Sequence, residues 1–176
     1  IYFVTQFIIT EHASTNIVAP SARTSRARPP QAATATIPTA RKPGEVVTGN
    51  LLKEASLDGL NTGSKPVSEY KGKPLIINIW ASWCGPCRDE MGSLERLAKR
   101  YNGNIFNIIG ISIDDYREKA TSFLDQADVS FDNYIDHELQ MENMLGADMI
   151  PLTVLVNAEG RVLMKIRGSR KWDDPE

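Results

Sequence analysis

Residues 74–81, PLIINIWA, form a short and nearly unbroken apolar run behind the polar stretch KGK. A run of that length suits a β-strand buried on both faces. From Cys87 to Tyr101 the pattern changes period. Met91, Leu94, Leu97, Ala98 and Tyr101 recur at spacings of three and four, which marks one face of a helix. IFNIIGISID (105–114) predicts a second buried strand, and 116–127 a second helix. NYID (133–136) reads as a short strand, and 138–146 as a short helix stopped at Gly146. LTVLVN (152–157) and RVLMKIRG (161–168) are two β-rich runs joined across AEG, with Gly160 in the turn. Residues 46–60 add a small hairpin or an edge strand in front. Strand, helix, strand, helix and then a hairpin imply an α/β domain: a mixed central sheet with helices on its faces.

This patterning begins only near Gly44. Residues 11–43 are rich in Ala, Thr, Ser, Arg and Pro and nearly lack large apolar side chains. Such a segment buries too little surface to offset its ordering entropy and reads as a disordered tether. Before it stands IYFVTQFII, only nine residues long, whereas a spanning helix needs about 20. The stub reads either as the remnant of a signal or membrane anchor, or as a plain disordered end. The domain expectation is therefore a tail over 1–43 and a folded unit over 44–176.

The overall charge of −2 conceals a split, +4 over residues 1–43 against −6 over 44–176. The basic end is weakly basic and carries only Tyr2, Phe3 and Phe7 as aromatics, so nucleic-acid binding is not expected.

The chemistry concentrates in WASWCGPC (80–87), which holds both cysteines of the chain. A zinc site wants four ligands, and the remaining donors would have to include His12 and His137. A structural disulfide across so small a loop gains the least entropy. A redox-active dithiol fits the surroundings better. The pair lies where a buried strand meets a helix, with Cys84 at or just before the first helical turn. There the unpaired N–H groups and the positive end of the helix dipole favour a thiolate, which is the nucleophile of disulfide exchange. Cys87 falls one turn further in, on the same side and more deeply placed. Pro86 has a φ that suits a helix start. Gly85 adds no bulk beside the attacking sulfur, and Trp83 supplies an apolar flank.

WCGPC after a buried strand resembles the active site of the thioredoxin superfamily. The closer resemblance is to its extracytoplasmic TlpA/ResA-like branch of thiol–disulfide oxidoreductases. It is carried by YKGKPLIINIWASWCGPCRDEMGSL, by YIDHELQMENMLGADMIP and by IPLTVLVNAEGRVL, in that order, and covers about residues 44–172. It implies a thioredoxin-like fold, with an extra strand and helix inserted before a cis-proline loop. It implies that Cys84 attacks and Cys87 resolves. It makes Pro151 the cis-proline, although X-Pro bonds at large are mostly trans, with the Ile150 backbone pairing a substrate chain.

Glu90, three residues after Cys87, reads from spacing alone as a solvated helix glutamate. The branch, however, carries a glutamate at this spot. Thioredoxin itself uses a buried Asp six residues before the first cysteine, where this chain has Asn78, which cannot accept a proton. Glu90 thus inherits the role of managing the proton of Cys87. The branch also has a helix-kinking proline where this chain has Gly92, and one more helix where the chain ends in SRKWDDPE. The last helix is therefore expected to be absent.

No cofactor is implied, because the two sulfurs carry the electrons. The implied partners are a disulfide-containing protein substrate and a membrane or periplasmic electron donor. The domain is expected to be a monomer outside the cytoplasm, with a possible membrane tether through its N-terminus. Gly-Pro between the cysteines resembles the reducing members. Apocytochrome c, a copper-site assembly protein and a general misoxidised pool all stand open as substrates. The competing reading is a copper-binding or delivery module, using Cys84, Cys87 and His137 or a methionine. Met141, Met144 and Met149 nevertheless read more simply as a core face.

Overall fold

The computed structural model describes residues 43–174. The expected tail over 1–43 lies almost wholly outside these residues.

Seven strands form one mixed sheet: β1 (Ser56–Gly59), β2 (Lys65–Pro66), β3 (Leu75–Trp80), β4 (Asn107–Ser112), β5 (Asp132–Ile135), β6 (Leu152–Val156) and β7 (Val162–Arg167), in the order β2-β1-β5-β4-β3-β6-β7. β3, β4 and β5 are parallel, while β6 runs antiparallel to β3, β7 to β6, β1 to β5 and β2 to β1. Among the described residues three α-helices, α1 (Gly85–Tyr101), α2 (Arg117–Gln126) and α3 (Gln140–Leu145), and a 3-10 turn of helix at Val67–Tyr70 connect them. Of the hairpin or edge strand expected over 46–60, β1 falls within those bounds, but its hairpin partner β2 starts only at Lys65.

All six residues of β3 are buried, since it lies inside the sheet, between β4 and β6, with a helical layer on each face. Its period of two sorts the core. Ile76 and Trp80 point to α1 and α2, among Met91, Leu94, Leu97, Phe106 and Phe123. Leu75, Ile77 and Ile79 point to α3, among Ile109, Ile111, Met141 and Leu145. Met141 and Met144 are thus core residues as expected, but Met149 is 60% exposed, because it precedes the first paired residue of β6.

The same alternation puts one polar position in the α1-facing row, Asn78. In register beside it stand Thr153 on β6 and Gly110 on β4, and beside Gly110 stands Asn133 on β5. A band of small and polar residues therefore crosses the sheet beneath α1. Trp80 Nε1 donates to Asn133 Oδ1 over 3.0 Å within it.

α1 runs through Gly92 as one helix of 17 residues. After β7, residues 168–174 form no helix and instead pass across α1. There Ser93 Oγ accepts from Trp172 N at 3.1 Å, and Arg96 pairs with Asp173 at 2.5 Å.

Candidate active site

The site lies at the carboxyl end of β3, where the chain turns into α1. That turn is held from the neighbouring strand. Asp114, just beyond β4 and buried, accepts from Ser82 N at 2.9 Å, from Ser82 Oγ at 2.7 Å and from Ser112 Oγ at 2.8 Å. Cys84 is the N-cap of α1, and its Sγ accepts from Cys87 N at 3.2 Å. Pro86 occupies the first turn, where its missing N–H costs nothing. The two cysteines are joined by a disulfide with their Cα atoms 5.3 Å apart. Cys84 retains 6% of its surface and Cys87 none, so the outer and inner positions fall as the spacing implied. Gly85 and Pro86 are exposed beside them, and Trp83 is 66% exposed.

The Ile150–Pro151 bond is cis. Pro151 is buried and Ile150 half-buried, immediately before the paired residues of β6, the strand next to β3.

Glu90 is not the solvated glutamate its spacing suggested. It is 1% exposed, because the strap formed by residues 168–174 covers it. Oε1 accepts from Asn78 Nδ2 at 2.7 Å; Oε2 accepts from Trp172 Nε1 at 3.0 Å and from Arg170 N at 3.1 Å. Burial pushes its carboxyl above the ordinary carboxylate value; the bonds from Trp172, Asn78 and Arg170 act in the opposite direction, and burial wins. A buried carboxyl with raised proton affinity, one helical turn beyond a redox cysteine, is placed to hold or release a proton there.

Three contributors escaped the sequence. Asp114 carried a weak signal, an acid directly after a buried strand. Trp172 carried a better one, a lone large aromatic in a polar tail. Arg170 contributes only its backbone and left none. His137, one of the residues considered for copper, is exposed beyond the end of β5. Among the described residues no group of three or more His, Cys, Asp and Glu is arranged to hold a metal. A pocket of about 170 Å³ lies at the other end of β3, against Leu75, Val67 and Tyr70, and is remote from the cysteines.

A mixed sheet of this topology, with a two-cysteine disulfide at the head of the helix after its buried inner strand β3, defines a thioredoxin-like thiol–disulfide oxidoreductase. The chain belongs to the Redoxin family, which it matches over residues 38–176. It is 26% identical to the thiol-disulfide oxidoreductase ResA of Geobacillus thermodenitrificans over 129 residues, 73% of this chain and 74% of that protein. It is 32% identical to the thiol:disulfide interchange protein DsbE of Vibrio cholerae over 138 residues, 73% of this chain and 71% of that one. Against ResA of Bacillus subtilis the identity is 25%, and the chain spans 63% of that protein. Among solved structures it is similar to a candidate thiol:disulfide interchange protein DsbE of Chlorobium tepidum, with a TM-score of 0.68 and 27% identity over 73% of this chain and 91% of that one. A DsbF homologue of Corynebacterium diphtheriae superposes with a TM-score of 0.63 at 26% identity, over 70% and 81% of the two chains.

Proposed function

We propose that this domain reduces disulfides in partner proteins outside the cytoplasm, with Cys84 attacking, Cys87 resolving and Glu90 handling the proton. The observation that carries the reading is the Cys84–Cys87 pair at the N-terminus of α1 with buried Glu90 one turn further on.

In the reduced protein the free N–H groups of the first turn favour a thiolate at Cys84. That thiolate attacks one sulfur of the substrate disulfide. The substrate S–S bond breaks, one substrate thiolate leaves, and a mixed disulfide joins Cys84 to the substrate. Cys87 then gives its proton to Glu90 and attacks Cys84 Sγ. The mixed disulfide breaks and the second substrate thiolate departs. Two electrons have passed to the substrate, and the Cys84–Cys87 disulfide has formed. A dithiol partner at the membrane or in the periplasm restores the reduced state by the reverse sequence. Trp83, Gly85 and Pro86 adjoin the cysteines in the chain, and Ile150 packs against the core cluster that contains both; with Pro151 they make up the substrate surface of this reading, with the Ile150 backbone available for strand addition. The extracytoplasmic setting is supported by the resemblance to the ResA-like branch. Among the described residues no helix is long and apolar enough to cross a membrane.

Direction is tested by equilibrating the dithiol with glutathione. A reductant should settle near thioredoxin's potential, about −270 mV; a value near DsbA's, about −120 mV, would make the protein an oxidant.

The role of Glu90 is tested by Glu90→Gln. Reduction of a protein disulfide should slow by about 10²-fold, and the rate should lose its dependence on pH through the raised carboxyl's titration. The same variant gives a stability readout of definite sign. The folded carboxyl keeps its proton to higher pH than the unfolded one. Wild-type stability should therefore fall as pH rises from the ordinary carboxylate range through the raised value, and Glu90→Gln should lack that fall. An unchanged rate at every pH would return Glu90 to a purely structural role.

A further inference from the structure

The three donors around the Glu90 carboxyl are unequally distributed. Oε2 already receives two N–H groups, from Trp172 and from the Arg170 backbone. Neither donor can become an acceptor, since an indole and a peptide nitrogen only donate. A proton on Glu90 must therefore sit on Oε1. In the present arrangement Oε1 faces another donor, Asn78 Nδ2, so an O–H there would point at an N–H.

Asn78 can resolve that conflict, and its surroundings allow it. It is fully buried, and Nδ2 also donates to Thr153 Oγ1 at 3.0 Å. Its Oδ1 has no hydrogen-bond partner. Turning the carboxamide by half a rotation would bring Oδ1 to Glu90 Oε1 and Thr153 Oγ1. The Glu90 hydroxyl would then donate to it, and so would the Thr153 hydroxyl, whose hydrogen rotates freely. Nδ2 would take the unpartnered place. Each orientation thus leaves one end of the amide unpaired in the interior. Neither gains the full set of bonds that would lock it.

We propose that Asn78 is a positioning residue for Glu90, whose carboxamide turns over when Glu90 takes up a proton and so couples the proton on Oε1 to the strand beneath the cysteines. The inference rests on the proton-handling role given to Glu90 above. The groups bonded to the carboxyl are Asn78 from β3, and Trp172 and the Arg170 backbone from the strap; Thr153 of β6 stands behind Asn78, and Cys87 lies three residues earlier on the same helix. None of the bonded groups titrates, and Cys87 does so only when reduced.

The test uses the whole, oxidised protein labelled with ¹⁵N and ¹³C, and follows the Glu90 side-chain carboxyl carbon and the Asn78 side-chain amide signals against pH. The Asn78 signals should move with the same midpoint as the Glu90 carbon. In Glu90→Gln the Oε1 position becomes an NH₂ group, so the Asn78 signals should sit at their low-pH positions and stay there. Asn78→Leu, of nearly the same shape, removes both the donor to the carboxylate and the acceptor for the acid; the charge-assisted bond is the stronger of the two, so the proton affinity of Glu90 should rise, by about fivefold. Asn78 signals that stay fixed while Glu90 titrates would overturn the proposal, as would an unmoved Glu90 midpoint in a folded Asn78→Leu protein. Failure of the underlying reading looks different: Glu90→Gln would then reduce substrate at the wild-type rate, whatever Asn78 does.

Discussion

Replacing Cys84 by serine is expected to lower the rate of disulfide exchange by about 10³-fold or more while leaving the domain folded. A serine hydroxyl forms no S–S bond and is not ionised near neutral pH, so the first covalent step is lost outright. The fold has little reason to object. Cys84 is the N-cap of α1, and its Sγ accepts from Cys87 N, the third residue of the helix. Serine is among the residues preferred at that position, and its oxygen makes the same bond to the same N–H. Ser82 and Asp114 continue to hold the preceding turn. The disulfide that disappears closes a loop too small to contribute much chain entropy. The check is turnover of a protein disulfide beside an unfolding curve in urea. A rate within tenfold of wild type would remove Cys84 from the mechanism.

The largest effect on stability is expected at Gly110, in the polar band under α1. A Cβ at this position would lie 1.8 Å from Asn133 Oδ1 and 2.8 Å from Trp80 Nε1. Those two atoms are bonded to each other, and Asn133 Nδ2 also donates to Phe131 O at 2.9 Å. Gly110→Ala must push the Asn133 side chain aside. It therefore overpacks a closed core and leaves the buried Trp80 N–H without its acceptor. The combined cost should be about 2–5 kcal/mol. Trp80 ends the strand that leads into the cysteines, so a folded remnant of this variant should also lose activity. Gly63→Ala is the control, since a Cβ there meets nothing within 4 Å. It should change stability by about 0.5 kcal/mol or less. Equal shifts of the urea midpoint in the two variants would refute the packing argument.

The parts of the fold legible in the sequence were those set by periodicity. The buried run at 74–81, the three-and-four spacing after Cys87 and the hairpin at 152–168 each lie within two residues of their observed bounds. The second strand of the front hairpin fell outside the expected bounds because β2 is only two residues long and carries no pattern of its own. At the site, the two cysteines and the helix start were readable because capping chemistry is local. Glu90 was not readable from spacing: its burial comes from Trp172 and Arg170, about 80 residues along the chain, crossing α1 in a segment without secondary structure. Asn78 was legible as a buried strand residue. Its bond to Glu90 depends on which face of β3 meets α1, and that is decided by the whole sheet. Met149 was drawn into the core by its proximity to Met141 and Met144, yet it stands outside the helix that orders them.

Cys84 and Cys87 differ in a way that one experiment converts into opposite outcomes. Cys84 keeps a little surface at the head of the helix, while Cys87 is enclosed behind it. If Cys84 forms the mixed disulfide and Cys87 releases it, removing the second step should leave the first product in place. The measurement is covalent trapping: reduced Cys87→Ser protein is mixed with a disulfide-containing protein, and the mixture is resolved by non-reducing gel and mass spectrometry. A thiol-reversible adduct through Cys84 should accumulate to a large share of the protein. It should be absent from Cys84→Ser and fleeting in wild type. Adducts that form equally well through Cys87 in Cys84→Ser, or no adduct in either variant, would contradict the assignment of the attacking sulfur on which the mechanism stands.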